Sequence, residues 1–170
     1  SDVFIKDLQI PKKKIINLKV GSGSHGLQTS KMIYKIERFV VKNKLIRNII
    51  VYGDTNSALA GSIVASKFEK INLIHLEAGL RSFDKYMPEE INRRVIDHCS
   101  DLLFCPTKIS KNYLIREGIS KKKIFNVGNT IVDAIFSKLV QYKIKKKNYK
   151  KNQIILTIHR EENTKNVHNL

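Results

Sequence analysis

Short apolar runs alternate with longer amphipathic segments along most of this chain. From about residue 48 onwards, each apolar run is followed by a segment whose apolar side chains recur at helical spacing. This alternation is typical of βαβ units around a parallel sheet. The pattern predicts strands at 48–54, 71–77, 101–107 and 123–129, and helices at 55–68, 88–100, 108–118 and 130–144.

An earlier helix and a later break complete the pattern. Residues 27–44 carry apolar side chains at helical spacing and predict a further helix that covers the sheet. The predicted fold class is therefore α/β, a doubly wound parallel sheet. The lysine-rich segment 143–153 interrupts the periodicity, and a new strand-to-loop unit follows it. We predict a first domain at 1–142, a linker at 143–153 and the start of a second domain at 154–170.

The helix predicted at 88–100 opens with a proline, which is favoured at the first helical position. Its apolar stripe consists of Ile91, Val95, Ile96 and Cys99. We expect this stripe to face the sheet.

The composition is that of a folded protein without a membrane anchor. The 170 residues are 42% hydrophobic, which is enough for a substantial core. No run of about 18 apolar residues occurs, and the first residues lack the apolar region of a signal peptide. We therefore expect a soluble, cytoplasmic protein. Cys99 and Cys105 have no metal-ligand spacing and are expected to be small buried hydrophobes.

The formal net charge of +17 raises the question of a nucleic-acid partner. The lysines occur in short runs, such as 121–123 and 145–147, with few aromatic residues between them to stack on bases. A solvated lysine surface is the favoured interpretation and an anionic small-molecule ligand is the second. Nucleic acid is the least favoured.

The segment GSGSHG, residues 21–26, matches the dinucleotide-binding pattern G-x-G-x-x-G and precedes a predicted helix. A true fingerprint also needs a strand before it and an acidic residue about 20 positions later. Lys44 and Arg47 occupy that region instead. A turn leading into a helix is therefore favoured over a cofactor site.

Acidic residues stand at the ends of predicted strands. Asp54 closes NIIVYGD, Glu77 closes INLIHLE, and Glu89 lies in the first turn of the helix that Pro88 opens. His159 closes a further predicted strand, IILTIH. Because ligands of such sheets bind beyond the carboxyl ends of the strands, we expect these side chains at one ligand site.

Each of these acids also has a structural interpretation. His75 and Glu77 face the same way in a strand, and we favour an interior His75 with only Glu77 at the mouth of the site and no metal. Acids in a first helical turn suit the helix dipole, which by itself would make Glu89 and Glu90 helix caps. Asp54 alone could be a helix N-cap.

The neighbouring charged residues are also open to two interpretations. Arg81, Arg93 and Arg94 could pair with the acids or bind phosphate oxygens. Asp84 and Glu90 are expected to have plain surface and capping roles.

Five sequence blocks together carry a family resemblance. They are VYGDTNSALAGSIVASK, HLEAGLRSFDKYMPEEINRR, LLFCPT, NVGNTIVDA and LTIHREEN. With these blocks in this order, the chain resembles the non-hydrolysing UDP-N-acetylglucosamine 2-epimerases over most of its length. The resemblance implies two Rossmann-like domains of the glycosyltransferase-B type, facing each other across a cleft.

The resemblance also implies an activity. It is the interconversion of UDP-N-acetylglucosamine and UDP-N-acetylmannosamine by anti elimination of UDP and its re-addition, without a cofactor and in a homodimer. A hydrolysing relative and a non-catalytic basic remnant are the alternatives.

By motif match, the resemblance assigns roles to particular residues. Asp54, Glu77 and Glu89 are implied to be the catalytic acids and bases, and which of them takes the proton stays open. His159 is implied to contact the UDP part and to assist its departure. Arg81 is implied to bind substrate as an ion-pairing support, and Asp54 and Glu77 also touch the substrate.

The family pattern extends beyond both ends of this sequence. Its first strand would precede residue 1, and most of its second domain would follow Leu170. We therefore expect an internal fragment of a longer two-domain enzyme, inactive by itself.

Overall fold

The computed structural model describes residue 5, residues 10–142 and residues 154, 156 and 157. The chain divides into two compact units, Ser1–Thr130 and Ile131–Leu170. The described part of the first unit contains a four-stranded sheet. Its strands are β1 (Asn48–Tyr52), β2 (Asn72–Leu76), β3 (Leu102–Cys105) and β4 (Ile124–Asn126).

The α-helices of the described residues fall where the apolar periodicity predicts them. They are α1 (His25–Lys42), α2 (Asn56–Ala65), α3 (Pro88–Cys99), α4 (Lys108–Arg116) and α5 (Thr130–Gln141). Every strand and helix predicted within residues 27–144 therefore occurs, with differences of a few residues at the ends.

All neighbouring strands of the sheet are parallel, in the order β1-β2-β3-β4. Val51, His75 and Leu103 are register partners across the first three strands. The carboxyl ends of the strands thus lie at one edge of the sheet. The predicted α/β fold around a parallel sheet is confirmed.

The two faces of the sheet differ in burial. Leu73, His75 and Leu103 point to one face and are each 0% exposed. Alternate positions point to the opposite face, where Ile50 is 61% and Tyr52 48% exposed. The described helices between the strands therefore cover the first face.

Two apolar clusters form the core on the covered face. The first joins α1, β1, α2, β2 and α3, and contains Leu73 and Ile96. The second joins β3, α4 and β4 through Leu103, Cys105 and Leu114. The two clusters give α1 to α4 their apolar contacts.

The cysteines lie where the sequence predicts them. Cys105 is buried in the second cluster, and Cys99 packs, partly buried, against the first. Burial, together with the negative charge of Asp97, raises the pKa of the Cys105 thiol to about 12. Cys105 is therefore an unreactive thiol at neutral pH.

Hydroxyl side chains define where three helices begin. The hydroxyl oxygens of Ser24, Thr55 and Thr107 accept hydrogen bonds from backbone N–H groups of α1, α2 and α4. Thr55, rather than its neighbour Asp54, is thus the cap of α2. The segment GSGSHG forms a turn leading into α1, as favoured, and no strand precedes it among the described residues.

Helix α3 buries polar residues together with half of its predicted apolar stripe. Ile96 is buried and Cys99 packs against the first cluster, as predicted. Ile91 is 52% exposed and Val95 is also exposed, so the prediction was wrong for these two residues. Glu90, Asn92 and Asp97 are buried instead, because hydrogen bonds and ion pairs inside the fold satisfy them.

Helix α5 lies almost wholly in the second unit. The predicted linker at 143–153 lies outside the described residues, as does most of 154–170, and these domain boundaries remain predictions. No helix in the described ranges is long and apolar enough to cross a membrane.

Candidate active site

Asp54 and Glu77 follow the ends of two adjacent strands. The N–H of Gly53 donates to the carbonyl of Leu76 at 3.0 Å, which ties the end of β1 to the end of β2. A Cβ atom at Gly53 would lie 3.4 Å from Oε2 of Glu77. The Glu77 carboxyl group therefore lies against the backbone just before Asp54.

The backbone of Glu77 adopts the left-handed conformation, with φ at +68°. A residue with a Cβ atom is disfavoured there, and such strain is concentrated at functional sites. The carboxylate of Glu77 accepts no hydrogen bond and forms no ion pair within the described part of the chain. Its side chain therefore lies at the sheet edge without an ion-pair partner among the described residues.

Glu89 and Glu90 occupy the first turn of α3, which has Pro88 as its first residue. Glu89 is half-buried, and no described residue forms a hydrogen bond or ion pair with its carboxylate. Glu89 thus remains available to a ligand, like Glu77.

Glu90 is 1% exposed, so the predicted surface role for it was wrong. Its Oε2 accepts hydrogen bonds from the N–H of Ser82 at 2.9 Å and from Arg93 at 3.2 Å, and its Oε1 accepts one from Arg94. Burial by itself would raise the pKa of the carboxyl, but the hydrogen bonds from Ser82, Arg94 and Arg93 outweigh it and lower the pKa. Asp84, by contrast, is exposed as predicted.

Helix α3 holds Asp54 through two consecutive residues. The side-chain amide of Asn92 donates to the backbone carbonyl of Asp54 at 2.7 Å, and also to Oδ1 of Asn56 at 3.3 Å. Nη2 of Arg93 donates to Oδ2 of Asp54 at 2.5 Å. The start of α3 and the end of β1 are therefore fixed together.

His75 is buried beneath the same edge, as favoured from the sequence. Its Nδ1 lies 2.7 Å from Oδ1 of Asp97, and its Nε2 lies 3.0 Å from the carbonyl oxygen of Gly53. Both ring nitrogens therefore have a hydrogen-bond partner inside the fold. The ring joins the ends of β1 and β2 to α3.

Arg81 continues this buried network, and its side chain is 0% exposed. Nη1 lies 2.7 Å from Oδ2 of Asp97, while Nε and Nη2 donate to the two oxygens of Glu117 at 2.8 and 2.5 Å. Burial opposes the positive charge, but the hydrogen bonds to Glu117 and the charge of Asp97 outweigh it and raise the pKa of Arg81. The implied ion-pairing role fits this geometry, whereas direct contact with substrate does not.

Four polar residues of this site were missed from the sequence: Glu90 as a buried anchor, Asn92, Asp97 and Glu117. His159, in contrast, was predicted and lies outside the described residues. In the described ranges, no group of three His, Cys, Asp or Glu side chains is placed to hold a metal ion.

The fold and this edge define a class: a parallel α/β domain whose strand ends present carboxylates to a ligand. The family model described as UDP-N-acetylglucosamine 2-epimerase matches residues 1–170. The chain belongs to this family.

Two relatives show how similar this chain is to members of the family in sequence and how much of their length it covers. The UDP-N-acetylglucosamine 2-epimerase of Methanocaldococcus jannaschii is 50% identical over 96% of this chain. The UDP-2,3-diacetamido-2,3-dideoxy-D-glucuronate 2-epimerase of Pseudomonas aeruginosa is 43% identical, again over 96% of the chain. In both comparisons the chain spans 46% of the relative's length.

Solved structures extend the match to the fold. The M. jannaschii enzyme in complex with UDP-GlcNAc and UDP superposes with a TM-score of 0.80, at 51% identity, over 86% of this chain and 40% of that one. The Neisseria meningitidis enzyme bound to UDP-GlcNAc gives a TM-score of 0.76 at 33% identity, over 84% of this chain and 39% of that one. The sheet is therefore Rossmann-like, as predicted.

Proposed function

We propose that the protein carrying this chain interconverts UDP-N-acetylglucosamine and UDP-N-acetylmannosamine. The observation that carries the proposal is the pair of carboxylates, Glu77 and Glu89, which have no partner among the described residues at an edge that also holds Asp54. Family membership supplies the substrate class. Because the chain spans about half of its relatives' length, the activity is proposed for the whole protein.

The chemistry explains why several carboxylates are needed. The hydrogen on C2 of the sugar is not next to a carbonyl and is barely acidic. A base removes this proton while the C1–O bond to UDP breaks, and the electron pair of the C–H bond forms the double bond of 2-acetamidoglucal. An acid then returns a proton to C2 from the opposite face as UDP adds back at C1.

The three carboxylates suit this route because they come from different elements. Glu77 follows β2, Glu89 starts α3 and Asp54 follows β1. Carboxylates from separate elements can approach a sugar ring from different directions, as removal and return of a proton on opposite faces require. We leave the division into acid and base open among Asp54, Glu77 and Glu89.

Charged residues outside this trio have supporting roles in the proposal. Arg81 acts from behind the site, because its guanidinium is buried and bound to Asp97 and Glu117. His159 is proposed to contact the UDP part and to assist its departure. The proposal includes a homodimer, which the resemblance to the family implies, and a location in the cytoplasm.

Replacement of either unpaired glutamate tests the proposal. Glu77→Gln and Glu89→Gln keep size but remove the proton-transfer group, so exchange of the C2 hydrogen with solvent deuterium should fall by about 100-fold or more. The exchange is measured by proton NMR of UDP-N-acetylglucosamine with the whole protein in D2O. Asp84→Asn, an exposed acid of the same segment, is the matched control and should exchange at the unaltered rate. Undiminished exchange in both glutamate variants would remove them as catalysts.

The same reaction mixtures separate related activities. Release of free N-acetylmannosamine and UDP would indicate the hydrolysing alternative. The 43% identity to the P. aeruginosa relative makes UDP-2,3-diacetamido-2,3-dideoxy-D-glucuronate the second substrate to assay. Absence of exchange with UDP-N-acetylglucosamine would contradict the proposed function, and exchange with the second substrate alone would replace it.

A further inference from the structure

Arg93 lies between two carboxylates of this site, those of Asp54 and Glu90. One terminal nitrogen, Nη2, contacts Oδ2 of Asp54 at 2.5 Å, and the other, Nη1, contacts Oε2 of Glu90 at 3.2 Å. The Arg93 side chain is 14% exposed, that of Asp54 29% and that of Glu90 2%. The guanidinium therefore bridges a buried anchor and a partly exposed carboxylate.

The anchor is fixed from several directions. Oε2 of Glu90 also accepts hydrogen bonds from the N–H and the hydroxyl of Ser82, in the loop between β2 and α3. Its other oxygen, Oε1, is bound by Arg94. A carboxylate with this many donors has one orientation, and it therefore fixes one end of the Arg93 guanidinium.

The remaining nitrogen of Arg93, Nε, indicates which contacts determine the orientation of the guanidinium. Nε is buried and has no hydrogen-bond partner among the described residues. An unpaired buried donor is destabilising. The bridge between Glu90 and Asp54 is kept in spite of this cost, so the two carboxylates determine where the guanidinium lies.

The contact also selects one oxygen of Asp54. Oδ2 is bound to Arg93, and Asn92 holds the backbone carbonyl of the same residue at 2.7 Å. Oδ1 accepts no hydrogen bond from any described residue. Asp54 is thus held by backbone and side chain together, with one oxygen left for a ligand.

We propose that Arg93 is a positioning residue, which aims Oδ1 of Asp54 at the sugar by holding Oδ2 against the Glu90 anchor. This inference rests on the proposed function. Lysine cannot replace arginine here, because a single ammonium group cannot span the two carboxylates in the way a planar guanidinium does.

The test compares variants of the whole protein in the C2 exchange assay. Arg93→Lys and Arg93→Ala should lower kcat by about 10- to 100-fold, since small displacements of a catalytic group cost rate on this scale. KM for UDP-N-acetylglucosamine should change by less than about threefold, because the effect is on orientation rather than binding. Added guanidinium chloride at millimolar concentration should partly restore the Arg93→Ala rate.

Arg116→Ala is the control, since Arg116 is an exposed arginine of α4 with no contact to Asp54 or Glu90 in the described part of the chain. Its kcat should stay within about threefold of the wild-type value. In the Asp54→Asn background, Arg93→Lys should add no further loss, because Arg93 acts only through Asp54. Independent, multiplying losses would indicate a merely structural role and overturn the inference, as would a wild-type rate in Arg93→Lys.

The wild-type rate distinguishes failure of this inference from failure of the proposed function. If the wild-type protein shows no exchange, the proposed function fails, and the inference about catalysis fails with it. If the wild-type protein is active, a crystal structure of Arg93→Lys decides the contact. An Asp54 carboxylate in its unaltered position would overturn the positioning role even then.

Discussion

At the scale of single residues, Asp97 is a buried carboxylate that several other groups contact. It is 1% exposed and accepts contacts from His75, Arg81 and the N–H of Gly79. Its carboxylate lies between the buried guanidinium of Arg81 and the buried ring of His75. Such a group is stabilising only while all its partners are present.

Asp97→Asn should therefore destabilise the chain strongly. The substitution removes a buried carboxylate that contacts Arg81, His75 and Gly79, and leaves the guanidinium of Arg81 with Glu117 alone as its counter-charge among the described residues, so it should cost about 3–5 kcal/mol. Urea unfolding followed by circular dichroism measures the loss. Asp84→Asn, on the surface, should change the unfolding free energy by less than about 0.5 kcal/mol. Equal stabilities for the two variants would contradict this account.

Sequence patterns predict strand-end acids more readily than buried ones. Asp54 and Glu77 are evident because each directly follows an apolar strand, and Glu89 because it follows a helix-opening proline. The burial of Glu90 and Asp97 is not evident, because it depends on donors from Ser82 and from other segments. The role of such residues follows from tertiary contacts, which periodicity does not record.

At the scale of elements, prediction succeeds for the positions of the strands and helices but only for part of the buried face of α3, where Ile96 and Cys99 are in the core as predicted. Periodicity locates α3 correctly but reverses the burial of Ile91 and Asn92. The site requires polar groups beneath the strand ends, and α3 supplies them. An element that serves a site is thus where an apolar pattern is least informative.

The loop after β2 packs directly on α4 at Gly79. This residue has φ at +79°, and a Cβ atom would lie only 2.4 Å from the carbonyl oxygen of Ser110 in α4. Only glycine allows this approach of loop to helix. The approach places the following residue pair, Leu80 and Arg81, beside α4 and its cap Glu117.

Gly79→Ala and Gly118→Ala form a matched pair for this contact. Gly118 has a similar φ of +87° but open space around its missing Cβ. Its substitution should cost only the backbone strain, about 1–2 kcal/mol. Gly79→Ala adds a clash with backbone and should cost at least about 3 kcal/mol. Thermal and urea unfolding measure both, and equal losses would show that the close approach is unimportant.

At the scale of the whole molecule, buried carboxylates make stability depend on pH although the chain is strongly basic. The pKa of Glu90 is lowered as described above. The hydrogen bond from Arg81 lowers the pKa of Glu117 more than burial raises it. Both carboxyls therefore bind fewer protons in the folded than in the unfolded chain.

The unfolding free energy should consequently fall under acid conditions. A carboxyl with a lowered folded-state pKa stabilises the fold above its unfolded value, 4.5, and loses this contribution as the pH falls below it. Urea unfolding at pH 7, 5, 4 and 3 tests this window. Glu117→Gln should be less stable at pH 7 and show a shallower dependence on pH. An identical slope in the variant would contradict the role of Glu117.

The left-handed backbone at Glu77 has a consequence for redesign of this protein. Glycine is the residue that a stability-guided design would choose at φ +68°, since it relieves the strain. That choice would delete one of the two carboxylates that have no partner among the described residues. If Glu77 has the proposed catalytic role, selection for heat resistance alone would favour variants at position 77 that are more stable but inactive.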